Sequence, residues 1–140
     1  MSLAAILAPL FLQVLLVIAL SVVMARRRFA AAKSDEVKPG AIIGEDSAWP
    51  KQARLAANSF NNQFEFPVLF YVLTVLAIIT KKADLAFVLM AWIFVLSRYA
   101  HAFIHVTSNR MPHRFYAFGA GLAVLLIMWV RFSFQILVAG

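Results

Sequence analysis

The sequence predicts an all-α membrane protein, a bundle of four transmembrane helices, and three observations carry that prediction. Of its 140 residues 64% are hydrophobic, and the mean hydropathy is +0.86, values foreign to soluble globular chains. The apolar residues fall into four blocks, each able to cross a hydrocarbon core of about 30 Å. The thirteen Lys and Arg, set against six Asp and Glu, lie mostly between those blocks. Placed there they act as topology signals, which argues against a nucleic-acid surface. The chain reads as one domain over 1–140.

Residues 3–25 form the first block, an apolar run of 23 positions whose only strongly polar member is Gln13. The Arg26–Arg28 triplet follows this run instead of preceding it, so no cleavable leader is expected. The stretch KSDEVKPGAIIGEDSAWPK, with Pro, Gly and mixed charge, reads as an ordered or partly mobile crossing between spans. The second block covers 54–80, the third 85–106 and the fourth 116–138. Seven positive residues occupy 26–54, and Arg110 and Arg114 occupy the third connection, against Lys81 and Lys82 in the second. That excess assigns loops one and three to the cytoplasm and both termini to the outside.

The second block carries a polar stripe. On a helix, Arg54, Asn58, Asn61 or Asn62, and Glu65 fall on one face. Pro67 then implies a kinked helix lining something polar, because it removes the hydrogen bond to a carbonyl one turn earlier. The third block answers with Arg98, His101 and His105, spaced i, i+3, i+7 on a single face. Counted from the turn between the two blocks, Glu65 and Arg98 both lie about 21 to 24 Å down their helices, so an ion pair is expected. The alternative is a buried pair that merely locks the two helices. Arg110 and Arg114 stand where the fourth block begins, at the mouth of the same region.

A pocket of arginines, amides, one carboxylate and imidazoles suits a small polyanion that also carries an amine, and a charged tripeptide fits that description. Cysteine is absent, so any thiol chemistry arrives with a ligand. Of the three histidines His113 lies apart from the other two, and no metal site is expected. Arg131, beside Trp129 near the outer end of the fourth block, is expected to snorkel to the interface.

These residues resemble the MAPEG family, the membrane-associated proteins in eicosanoid and glutathione metabolism, over essentially the whole chain. The family's Asn-x-x-Glu in helix two, after an arginine-rich start and before a proline, is similar to RLAANSFNNQFEFP, with Asn62 and Glu65 in the matching places. Its Arg-x-x-His in helix three is similar to RYAH, with Arg98 and His101. The arginine sixteen residues later, implicated in the family in activating the glutathione thiol, corresponds to Arg114. The resemblance implies a homotrimer binding glutathione between subunits, open to the cytoplasm, and NNQFEFPVLFY looks most like the bacterial branch, hence an inner-membrane location.

On that resemblance Arg114 is the catalytic residue, and Arg54, Asn58, Asn62, Glu65, Arg98, His101 and His105 form the binding set. The implied activity is glutathione transfer to, or peroxide reduction of, hydrophobic electrophiles drawn from the lipid. The sequence departs from the family at His105 and Phe118, where tyrosines stand in relatives, and at Phe60 and Asn61, which replace a frequent basic or aromatic pair. The alternative is a non-catalytic ligand-binding protein or small transporter on the same scaffold. A small multidrug exporter would carry a carboxylate in its first helix, and residues 3–25 have none.

Overall fold

Ser2 opens the first helix, its Oγ accepting the Ala5 amide at 3.2 Å, in a computed structural model that describes residues 1–34 and 48–139. Helix α1 runs from Leu3 to Lys33, two turns beyond the apolar run, because Arg26–Lys33 contains no helix breaker and continues the hydrogen-bond ladder past the hydrocarbon. Most of the connection expected to cross between spans lies outside the described residues. The chain is picked up again at Ala48, and Trp49 packs against the Arg28 guanidinium at 5.2 Å.

The second block is not one helix. Helix α2 covers Lys51–Asn62 and α3 covers Phe66–Ile79. Between them the amides of Gln63, Phe64 and Glu65 bond to carbonyls three residues back, those of Phe60, Asn61 and Asn62, at 3.1, 3.0 and 3.4 Å. The ladder therefore tightens to a 3₁₀ pattern and stops. Pro67 lies in the first turn of α3, where its missing N–H costs nothing. The kink anticipated at the proline is thus a full break placed just ahead of it.

Thr80, Lys81 and Lys82 close α3. Lys81 adopts φ 58°, and the Lys82 amide reaches back to the Ala77 carbonyl at 2.9 Å, a left-handed cap of the Schellman type. Asp84 opens α4, Leu85–Val106, by accepting the Phe87 amide at 3.0 Å. Helix α5, Met111–Leu137, begins five residues earlier than the fourth apolar block, with Pro112 in its first turn.

The described residues contain four spans long and apolar enough to cross a membrane, with α2 and α3 together making one of them. The protein is a multi-pass integral membrane helical bundle. Helix α4 packs mainly on α5, and α1 leans on α2, α3 and α4. Phe70 and Phe94 stack at 4.8 Å between ring centres, within a core that takes in Leu73, Ala91, Leu125 and Met128. Phe11, Ile18, Leu126 and Ile127 point outward and are exposed, as expected where hydrocarbon is the solvent.

Helices α4 and α5 approach closely at Gly121. A Cβ there would stand 2.5 Å from Ser97 Oγ, so a larger residue would force the Ser97 hydroxyl to move. The short distance between the two helices brings the polar face of α4 against the first turns of α5.

Candidate functional site

Three elements meet at the basic end of the bundle, where α1 and α4 finish and α2 and α5 begin. From α4, Arg98, His101 and His105 are all buried. The two imidazoles lie edge to face, 5.7 Å between centres, and His101 sits 5.7 Å from the Phe118 ring of α5. From α2 come Asn58 and Asn62, one turn apart. Together with Met111, Arg114, Phe115 and Phe118 they enclose a cavity of about 380 Å³, within the size range of small-molecule sites.

The cavity is chemically mixed: amides, imidazoles and a guanidinium line it together with methionine and phenylalanine. Arg114 is aimed by its own loop, donating from Nη1 to Asn109 Oδ1 at 2.8 Å and from Nη2 to Met111 Sδ at 3.1 Å. Asn109 holds φ 50°, a left-handed conformation that asparagine tolerates better than most residues. Arg98 is 2% exposed, and its Nε and Nη2 have no hydrogen-bond partner among the described residues. Nδ1 of both histidines is likewise buried and without a partner among them. So many unmet polar atoms side by side mark a place built for something else to complete.

Comparison with known proteins agrees with this architecture: the model of the MAPEG family matches residues 6–134. The chain belongs to the MAPEG family. Curated proteins and solved structures returned no match. MAPEG membership sets the protein among the membrane proteins of glutathione and eicosanoid metabolism.

The residues expected to form the site are not all brought to one place. Asn58, Asn62, His101, His105 and Arg114 line the cavity, whereas Arg54 and Glu65 are exposed and do not. Arg98 lies beneath the cavity wall instead of on it. The expected Glu65–Arg98 ion pair is absent; among the described residues the only side-chain pair within ion-pair distance is Arg131 with Asp84. The depth argument fixed height along the helices but not rotation about them. The helical phase ends at the break, where Glu65 takes a non-helical backbone (φ −99°, ψ −108°), so α2 and α3 do not share one continuous face.

Arg131, expected to snorkel to the interface, reaches Asp84 at the start of α4 and ties it to the far end of α5.

Sequence reasoning missed five hydrogen bonds that hold the site's frame. Gln13 Nε2 donates to Gln63 Oε1 at 3.0 Å, and Gln63 Nε2 to the Ser59 carbonyl at 3.0 Å. Tyr99 donates its hydroxyl to the Leu12 carbonyl at 2.6 Å. Arg27 bridges helix ends, from Nη1 to the Gln52 carbonyl at 3.1 Å and from Nη2 to that of Val106 at 2.7 Å. The signal for the first was present, since Gln13 is the one strongly polar residue in its apolar run. Its partner was hidden by the assumption of an unbroken second helix.

Proposed function

We propose that this protein is a glutathione-dependent transferase or peroxidase of the membrane, acting on hydrophobic electrophiles that reach it from the lipid. The observation that carries this reading is the mixed cavity, lined by Asn58, Asn62, His101, His105 and Arg114 together with Met111, Phe115 and Phe118. Amides suit a tripeptide backbone, guanidinium suits carboxylate or thiolate, and the apolar side chains suit an apolar second substrate. A guanidinium near the sulfur lowers a thiol pKa from about 8.5, raising the nucleophilic fraction at neutral pH. Arg114 is the residue assigned that task.

The same reading makes the protein a homotrimer with the basic end in the cytoplasm, in a bacterial inner membrane. Glu65 and Arg54, exposed in the single chain, then become candidates for completing a neighbour's site.

The test is conjugation of glutathione to a chlorinated nitrobenzene by wild type and by Arg114→Ala. Loss of Arg114 is expected to lower kcat by about 10²-fold, the scale of removing one donor from a developing anion, with a smaller change in KM. Wild-type turnover no faster than the reaction in solution favours the second reading, a ligand-binding protein without catalysis. That reading draws on the engagement of Arg114 by Asn109 and Met111, which would suffice for a purely structural residue.

A further inference from the structure

Formation of a thiolate in the cavity leaves a proton to be placed, and the lining restricts where it goes. Of the residues around the cavity, guanidinium, amide, thioether and phenyl groups accept no proton near neutral pH. Glu65, the nearest carboxylate in sequence, does not line the cavity of its own chain. Within one chain the two histidines remain. Nδ1 of each is buried without a partner, which leaves Nε2 as the nitrogen able to meet a ligand.

The two rings are not equivalent. His101 lies one turn deeper, between Arg98 and the Phe118 ring. His105 is in the last turn of α4, where the carbonyl ends of the helix favour a positive charge. The groups facing it are Arg98 and His101 on its own helix, Arg114 from α5, the uncharged Asn58 and Asn62 from α2, and Arg27 of α1 at the neighbouring Val106 carbonyl.

Resting on the glutathione reading above, we propose that His105 is the proton acceptor for the bound thiol, so that Arg114 stabilises the anion while His105 takes the proton. The S–H bond breaks, its electron pair stays on sulfur, and the proton passes to His105 Nε2. The charge of the cavity as a whole is unchanged by the transfer, because the imidazolium appears together with the thiolate. When the sulfur attacks an electrophile carrying a halide, the new C–S bond forms, the halide departs with its electron pair, and the imidazolium returns its proton to water.

The experiment counts protons. Purified protein in weak buffer at neutral pH is mixed with glutathione while thiolate is followed by its ultraviolet absorbance and proton release by a pH indicator. Wild type is expected to form thiolate with much less than one proton released per thiolate. His105→Gln should either release one proton for each thiolate or form several-fold less thiolate, while His101→Gln should keep the wild-type ratio. Thiolate formed by wild type with one proton released for each overturns the assignment and leaves the glutathione reading standing. Absence of any thiolate in wild type overturns both. A wild-type ratio of one overturns the assignment even if His105→Gln fails to fold.

Discussion

Gln13 and Gln63, fifty positions apart, meet amide to amide at 3.0 Å in the interior of the bundle, and neither is exposed to any measurable extent. The contact pins α1 to the point where the second span breaks. Gln63 is also the first residue of the break, so the same side chain that ends α2 secures it against its neighbour.

Gln63→Leu is therefore expected to leave the Gln13 amide buried without its partner, at about 1 to 3 kcal/mol. Replacing both glutamines with leucine should cost less than that single change, because no unmet amide remains. Thermal unfolding of the two single variants and the double variant in detergent measures the coupling. Losses that simply add would show that the pair contributes nothing jointly.

Gly121→Ala is expected to destabilise the α4–α5 contact, although alanine is the better helix former by about 1 kcal/mol. The new methyl meets Ser97 Oγ, which is held to the Phe94 carbonyl at 2.6 Å. Removing the hydroxyl in Ser97→Ala should relieve the clash, so the double variant should unfold at a higher temperature than Gly121→Ala alone. A Gly121→Ala protein as stable as wild type would refute the close approach.

Arg98 and Glu65 should behave as strangers in stability measurements. Glu65 is exposed, and Glu65→Gln should shift unfolding by no more than about 0.5 kcal/mol. Arg98 is a buried guanidinium with two unpartnered nitrogens, so Arg98→Met should be neutral or stabilising, as for other buried charges replaced by apolar groups of similar length. A loss of about 3 kcal/mol or more in both variants would instead restore the ion pair that helix depth alone suggested.

Asp84 links stability to acidity. The Arg131 guanidinium holds its carboxyl below the usual carboxylate range; partial burial works the other way, and the Phe87 amide adds to the lowering. A folded-state value below the unfolded one means that the contribution is fully present above about pH 4 and is lost as pH falls through the folded value. With side chains 33% and 48% exposed for Arg131 and Asp84, the contribution is under about 1 kcal/mol. Wild type should therefore lose stability relative to Asp84→Asn only on acidification below about pH 4, in unfolding temperatures recorded across that range. A gap that stays constant there would exclude the linkage.

The number of spans, the membrane character and the polar faces of the second and third spans were legible in the sequence, because hydropathy, charge and helical spacing are properties of neighbouring residues. Asn58 and Asn62 share a face at i, i+4, and Arg98, His101 and His105 share another, whatever the rest of the chain does. Which of those faces meet was decided by the tertiary structure. The break at Gln63–Glu65 turns Glu65 away from Arg98, the close crossing at Gly121 lays the start of α5 over the two histidines, and Gln13 finds its partner only once α1 is packed beside the break. Rotation about a helix axis accumulates over every residue and is set by a few long-range contacts, so a local pattern states which side chains share a face but not what that face is turned toward.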